Sequence, residues 1–348
     1  MRIHLGHHFY GAGNLGDDFL LAGFLAAMRR LAPPTTLTCC VPFALEPLRR
    51  RFPEIQWHPY DDATRARWIA ECDVWLGLGG SPFQSAQNRW FVDHLIGETA
   101  LCATAQKRMF FLGVGVQNAA ELAVPEVRRL CSNAAGIWTR DPVSMQLIAA
   151  LPSPPPVETG ADLAHIFFRD QPPPLAVTGR LTLVANFDYG EWGGQTAFLR
   201  AAGALPATER VWLAQESREL PGAERALHAA LPEAERAHWR LVVPDEPGAP
   251  LATSLARWPS GEWLVTSRYH AALAGAWARS KILVISTNEK LRAVARELGC
   301  PLLSPSADEA AVTSAFVAAS RAALPTSATD RAFAACEDFV RSAVALAR

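Results

Sequence analysis

The sequence predicts an α/β protein of two Rossmann-like domains facing a cleft, with a closing C-terminal helix. Three observations carry this expectation. Short apolar runs of strand length alternate with stretches whose apolar residues recur every three or four positions, two proline clusters interrupt the pattern at mid-chain, and the alternation then restarts.

In the first half the strands are "RIHLG", "LTCCV", "DVWLGLG", "MFFLGVGV" and "GIWTR". They are predominantly apolar runs rather than strict alternations, as buried parallel strands are. Between them, Phe19 to Leu31 and Val92 to Ala105 have helical spacing. The clusters "PSPPP" (152–156) and "QPPP" (171–174) suit a stiff connection and set the expected domains at 1–172 and 173–348. Beyond them "RLTLVANF", "RVWLAQE", "WRLVVP", "EWLVTS" and "KILVIS" read as strands, separated by helical stretches over Gly222 to Leu231, Tyr269 to Ala278 and Asn288 to Leu298. The tail, Thr329 to Arg348, places Phe333, Cys336, Val340 and Val344 on one face of a closing helix.

A chain of 348 residues that is 50% hydrophobic buries a large core, and a net charge of -1 gives no global signal for a nucleic-acid partner. The opening "MRIHLGHH" lacks the apolar core of a signal peptide, and no stretch reaches the ~20 apolar residues that span a bilayer. The expected location is cytoplasmic, with peripheral association at the inner face of the membrane left open. The seven cysteines include no Cys-x-x-Cys pair and read as reduced, mostly buried thiols.

The stretch "GHHFYGAGNLGDD" (6–18) holds a literal Gly-x-Gly-x-x-Gly at Gly11, Gly13 and Gly16. A dinucleotide fingerprint needs its first glycine directly after the strand and an acid about twenty positions on, at the end of the second strand. Here His7 to Tyr10 intervene, and the second strand ends with no acid before Glu46. Asp17 and Asp18 would also sit where a pyrophosphate rests, and like charges repel. The motif is therefore not read as a dinucleotide site. Its glycines still permit close backbone approach, and a helix beginning near Asp18 aims its first N–H groups at the cleft. Asp17 has a plain alternative as the cap of that helix.

Two further glycine-rich strand ends, "GLGGSPF" (77–83) and "FLGVGVQN" (111–118), add to a backbone-lined cleft floor. "GIWTRDPVSMQLI" (136–148) puts Arg140 at a strand end, where its planar fork can grip a carboxylate or phosphate; the plain alternative is a surface pair with Asp141. "WLVTSRYHAALAGAWA" (263–278) carries the strongest chemistry, because Arg268 and His270 place a cation beside a group that titrates near neutral pH. His4, His7 and His8 cluster without an acid or cysteine at ligand spacing, so no metal site is expected. Trp192, in "DYGEWGGQ" (188–195), offers a face for sugar stacking or for packing.

Taken in order, "GHHFYGAGNLGDDFLL", "GLGGSPF", "FFLGVGVQ", "WTRDPVSMQLI", "GADLAHIF", "VTSRYHAALAGA" and "NEKLRAVARELG" resemble the motifs of the polysaccharide pyruvyl transferase family over residues 1 to about 300. The resemblance implies a GT-B-like fold and transfer of a pyruvyl group from phosphoenolpyruvate to a sugar. It implies that Arg140 and Arg268 bind the anionic donor and that His270 is catalytic. Gly11, Gly13, Asn14 and Gly16, with Gly79, Gly80 and Ser81, are the accompanying donor contacts; Asp17, Asp18 and Trp192 are candidates for the acceptor, and Lys290 aligns with a lysine of unassigned role. The family commonly shows "RLH", "GGG", "GDE" and "ADPA" where this chain has "RYH", "GGS", "GDD" and "ADLA".

Phosphoenolpyruvate is a donor substrate, and no cofactor is expected. The expected partners are that donor and a lipid-linked or nucleotide-linked saccharide. Two other readings stand beside this one: a GT-B glycosyltransferase using a nucleotide sugar, and a non-catalytic paralogue acting as a binding or assembly subunit.

Overall fold

The computed structural model describes residues 1–31, 34–85, 89–185, 199, 202–203, 205–218, 223–286 and 288–346. The first sheet comprises β1 (Arg2–Leu5), β2 (Thr36–Val41), β3 (Ile55–Pro59), β4 (Val74–Leu78), β5 (Arg108–Val114), β6 (Gly136–Thr139) and β7 (Val157–Thr159). Its order is β3-β2-β1-β4-β5-β6-β7, and every pairing is parallel. Helices α1 (Leu15–Leu31), α2 (Leu45–Arg51), α3 (Asp62–Glu71), α4 (Trp90–Thr104), α5 (Pro125–Ser132), α6 (Pro142–Ala149) and α7 (Ala164–Arg169) accompany it.

The second sheet comprises β8 (Val177–Val184), β9 (Glu209–Leu213), β10 (Arg240–Val242), β11 (Gly261–Thr266), β12 (Lys281–Ile285) and β13 (Leu302–Leu303), in the order β10-β9-β8-β11-β12-β13 and again parallel. It is accompanied by α8 (Glu224–Ala229), α9 (Glu233–Arg236), α10 (Leu251–Ala256), α11 (Tyr269–Trp277), α12 (Glu289–Leu298) and α13 (Glu309–Ala318). Helix α14 (Thr326–Leu346) ends the described chain. The two-domain α/β architecture expected from the alternation is present.

Wholly apolar β4, "VWLGL", is buried along its whole length, which is why it carries no alternation. In each sheet the chain reverses its direction of travel once, between β1 and β4 and between β8 and β11. Loops leaving such a switch point diverge and open a crevice at the carboxyl ends of the strands. The glycine-rich segment follows β1, and Arg268 and His270 follow β11.

Three short strands escape the apolar-run pattern: β3, whose "IQWHP" mixes polar and apolar residues, β7, and β13 with two residues. The closing helix returns to the first half of the chain. Although it lies in the second half of the chain, α14 packs on α1, α7 and β5 of the first domain. Phe339 is fully buried there, its ring 5.8 Å from Phe110, 6.1 Å from Trp138 and 6.5 Å from Phe24. All seven cysteines are free, and all but Cys300 are buried. Among the described residues no helix is long and apolar enough to cross a membrane.

The domains are tied together through buried charge. Arg51, at the end of α2, donates from Nη1 to Asp18 Oδ2 at 2.5 Å and from Nη2 to Asp245 Oδ1 at 2.7 Å, and its Nε donates to the Ala249 carbonyl at 3.0 Å. Both carboxylates are almost wholly enclosed. Removing one member leaves unpaired buried charge, so Arg51→Ala is expected to cost about 3–5 kcal/mol of stability by chemical denaturation. A cost under about 1 kcal/mol, typical of an exposed pair, would show that the triad does not hold the domains.

Candidate functional site

The segment after β1 lies between the domains. Gly13, at φ +102°, adopts a left-handed conformation that a side chain resists, and its carbonyl accepts from Ser217 N at 2.8 Å. Asn14 forms an antiparallel bridge with Glu216. Its Oδ1 accepts from Gly16 N at 3.1 Å and from Gln215 Nε2 at 3.0 Å, and its Nδ2 donates to Asp17 Oδ2 at 2.9 Å. Asn14 therefore caps α1, which starts at Leu15 rather than near Asp18, and Asp17 is not the cap. Gly16 makes room for a neighbour: a Cβ there would run into Nδ1 of His270 and lie 2.8 Å from Gln215 Nε2.

Gly11 donates its N–H to Asp18 Oδ1 at 2.7 Å. With Arg51 on its other oxygen, Asp18 has both oxygens engaged in the interior. It is occupied in joining the domains. Asp17 is only partly enclosed; burial pushes its carboxyl up to about 6 against the pull of His270, with Glu216 and Asp18 adding to the rise.

Arg140 follows β6 and is 3% exposed. It is not paired with Asp141, which caps α6: Asp141 accepts from Ser144 N at 2.8 Å and from Ser144 Oγ at 2.6 Å. Ser144 Oγ in turn accepts from Val116 N at 2.9 Å, fixing the third glycine-rich turn. The Arg140 guanidinium instead lies 4.3 Å over the Tyr269 ring, donates from Nη2 to Ser81 Oγ at 3.2 Å and brings Nη1 within 3.5 Å of Asp162 Oδ2. Gly79 donates its N–H to the Leu112 carbonyl, and the Gly80 carbonyl accepts from Gly115 N, so this turn is braced on β5 and the loop beyond it.

His270 opens α11 from the other domain, 7% exposed, with Nε2 3.3 Å from the same Asp162 Oδ2. That approach falls outside the angles of a straight hydrogen bond, and both atoms otherwise lack a hydrogen-bond partner. Asp162 is fully buried and its Oδ1 accepts from Ala164 N at 3.0 Å. Burial alone would raise its carboxyl; His270 and Arg140 outweigh that and hold it below the ordinary range.

Arg268, immediately before α11, donates from Nε to Glu224 Oε1 at 2.7 Å, and Glu224 is wholly buried. Lys290 lies in the first turn of α12, beside Glu289, whose N–H donates to the Gln117 carbonyl of the first domain at 3.2 Å. Trp192 lies outside the described residues.

The structure thus brings Arg140, His270, Gly16 and Ser81 into one cluster. Sequence reasoning missed Asp162, at its centre, and Glu224. The signal for Asp162 was present in "GADLAHIF", an acid at the end of a strand, but a strand as short as β7 does not announce itself.

The fold is GT-B-like, two parallel-sheet α/β domains in tandem. It is similar to UDP-GlcNAc 2-epimerase from Neisseria meningitidis bound to UDP-GlcNAc (TM-score 0.62, 11% identity, 99% of this chain and 100% of that one). It is also similar to HepE from Anabaena in complex with UDP-glucose (TM-score 0.59, 9% identity, 99% and 97%). A third likeness is to UDP-GlcNAc 2-epimerase from Methanocaldococcus jannaschii (TM-score 0.57, 10% identity, 99% and 99%). No curated protein matches the chain at a significant level. Residues 14–219 match the model of the polysaccharide pyruvyl transferase family, and the chain belongs to that family, which places it among transferases of polysaccharide modification.

Four histidines of the first domain, His4, His7, His8 and His94, are built into its interior. His7 donates from Nδ1 to the Leu78 carbonyl at 3.0 Å, and His94 lies between Tyr60 Oη and the Gly6 carbonyl, each at 2.7 Å. His8 packs edge-on to His94 with ring centres 4.0 Å apart, and His4 Nδ1 is 3.0 Å from Thr38 Oγ1. Among the described residues no group of three His, Cys, Asp or Glu side chains is arranged to hold a metal ion. Burial first of all pushes His4 and His7 down to about 3, His8 to about 4 and His94 to about 2.

These folded values lie below the ordinary 6.5, so the unfolded chain binds the extra protons. Each ring's contribution to stability is then lost as pH falls from 6.5 toward its folded value, by up to about 1.4 kcal/mol per pH unit. Histidine NMR of the folded protein at about pH 5.5 is expected to show all four rings neutral. A charged ring among them would contradict this assignment.

Proposed function

We propose that the protein transfers the pyruvyl group of phosphoenolpyruvate to a saccharide, forming a pyruvate ketal during surface polysaccharide assembly. The observation that carries the reading is the meeting of Arg140, from one domain, and His270, from the other, on the Asp162 carboxylate. Membership of the family supports it.

The donor offers a carboxylate and a phosphate. Arg140 and Arg268 would hold these anions, helped by the N-terminus of α11, which has no side-chain cap. Protonation of the methylene carbon makes C2 electrophilic. A first sugar hydroxyl forms a bond to C2, phosphate leaves with the electrons of its C–O bond, and a second hydroxyl adds and loses its proton. Diol and phosphoenolpyruvate thereby become ketal and inorganic phosphate, with no oxidation, reduction or further cofactor. His270 delivers or collects a proton in this sequence, a role typically worth ~10² to 10⁴ in rate.

Asp17, its carboxyl raised to about 6 beside His270, would orient an acceptor hydroxyl. Lys290 keeps an unassigned role. The acceptor is a lipid-linked or nucleotide-linked saccharide, met in the cytoplasm or at the inner membrane face. The structures of the Neisseria epimerase and of HepE hold UDP sugars, so nucleotide sugars belong in the test.

Phosphoenolpyruvate is expected to raise the melting temperature, since a ligand that binds only the folded state stabilises it. Arg140→Ala and Arg268→Ala should weaken its binding about tenfold or more, the scale of a lost charge-assisted hydrogen bond. His270→Ala should keep the shift and lose turnover. A shift with nucleotide sugars and none with phosphoenolpyruvate would replace this reading with a glycosyltransferase, and no shift with either would leave a non-catalytic binding subunit.

A further inference from the structure

We propose that Asp162 is a positioning residue whose carboxylate draws the single proton of the neutral His270 ring to Nε2, so that Nδ1, lying against Gly16, is the nitrogen that handles protons in the reaction. The inference rests on the reading of His270 as the acid/base group.

Both atoms are buried and lack a hydrogen-bond partner, yet they stand 3.3 Å apart. Orphaned buried polar atoms are costly, and a proton on Nε2 facing Oδ2 gives the pair an electrostatic attraction at this distance, although the angle falls short of a straight hydrogen bond. The reverse tautomer would aim the lone pair of Nε2 at a carboxylate oxygen, which is repulsive. Asp162 cannot turn away to relieve this, because Ala164 N–H holds its other oxygen at 3.0 Å and Arg140 Nη1 lies 3.5 Å from Oδ2.

With Nε2 committed to Asp162, the neutral ring keeps its basic lone pair on Nδ1. The direction in which Gly16 lacks a side chain is the direction of Nδ1, and a Cβ at residue 16 would collide with it. Glycine at 16 therefore leaves the space that Nδ1 occupies. The carboxylate acts on the reaction only through the ring, by orienting it and selecting which nitrogen is basic.

The test is the tautomer of His270, read by long-range proton–nitrogen NMR of the full chain labelled with ¹⁵N-histidine, at alkaline pH where the ring is neutral. The His270 signals are identified by their loss in His270→Gln. In the native chain a protonated Nε2 and a bare Nδ1 are expected, and a protonated Nδ1 would overturn the proposal.

In Asp162→Asn the amide carbonyl can keep the bond to Ala164 N–H, which turns the NH2 group toward Nε2 and should switch the ring to the Nδ1–H form. Turnover should then fall by at least about a hundredfold while the melting-temperature shift with phosphoenolpyruvate persists. An Asp162→Asn chain with the native tautomer or the native rate would overturn the proposal. If that chain does not fold, the native tautomer alone decides. Failure of phosphoenolpyruvate to shift the native protein is a separate outcome: it removes the pyruvyl-transfer reading and leaves the tautomer to be judged by the spectrum.

Discussion

The geometry of the cleft depends on one buried arginine between two carboxylates. Charges removed from water are costly and are tolerated only with close pairing and further hydrogen bonds. Arg51 meets that condition with Asp18 on one side, Asp245 on the other and backbone carbonyls completing its fork. The consequences run outward in a closed ring. Asp18 holds Gly11 N–H, the chain turns through Gly13, Ser217 takes the Gly13 carbonyl, and Ser217 Oγ returns to Asp245 Oδ2 at 2.8 Å. Because the ring passes through both domains, it fixes how their strand ends face each other. Asp162, from the first domain, and His270, from the second, can be 3.3 Å apart only in that arrangement.

The same ring explains a glycine pattern that looks like a dinucleotide fingerprint and is used otherwise. A side chain at Gly11 would strike Leu48, one at Gly13 would reach Ser217 and Arg218, and one at Gly16 would strike His270. The spacing needed for a tight strand-to-helix bend recurs, but what approaches the backbone is protein rather than pyrophosphate. The acids at 17 and 18, which argued against a phosphate in the sequence, divide the remaining work. Asp18 joins the interdomain charges, and Asp17 stays beside His270.

The strands that were legible were those buried on both faces, such as β4 and β12, because burial writes an apolar run that needs no partner to recognise. Helices α1, α11 and α12 were legible by their spacing. Arg140, Arg268 and His270 stood out as polar groups at the ends of apolar strands. What stayed hidden was set by contacts between residues far apart in the chain. The return of α14 to the first domain is decided by where Phe339 finds Phe24, Phe110 and Trp138. The commitment of Arg268 to Glu224, and of Arg140 to Asp162 rather than to neighbouring Asp141, follows from tertiary placement. Local patterns carry no trace of such pairings.

Two of the places where the chain departs from the pattern it resembles converge on one side chain. Ser81 stands where the family commonly has glycine, and its Oγ accepts from Arg140. Tyr269 stands where the family commonly has leucine, and its ring underlies the same guanidinium at 4.3 Å. A leucine offers no quadrupole to a cation and a glycine offers no hydroxyl, so each substitution adds a restraint that its counterpart cannot supply. An arginine side chain carries about 2 kcal/mol of rotamer entropy, much of it forfeited when the head group is fixed on an anion. Here that loss is incurred in folding, before any ligand arrives, and the guanidinium waits in place between Ser81, Tyr269 and Asp162. These two departures therefore bear on how the arginine is held, while the framework that carries it is the same parallel α/β architecture.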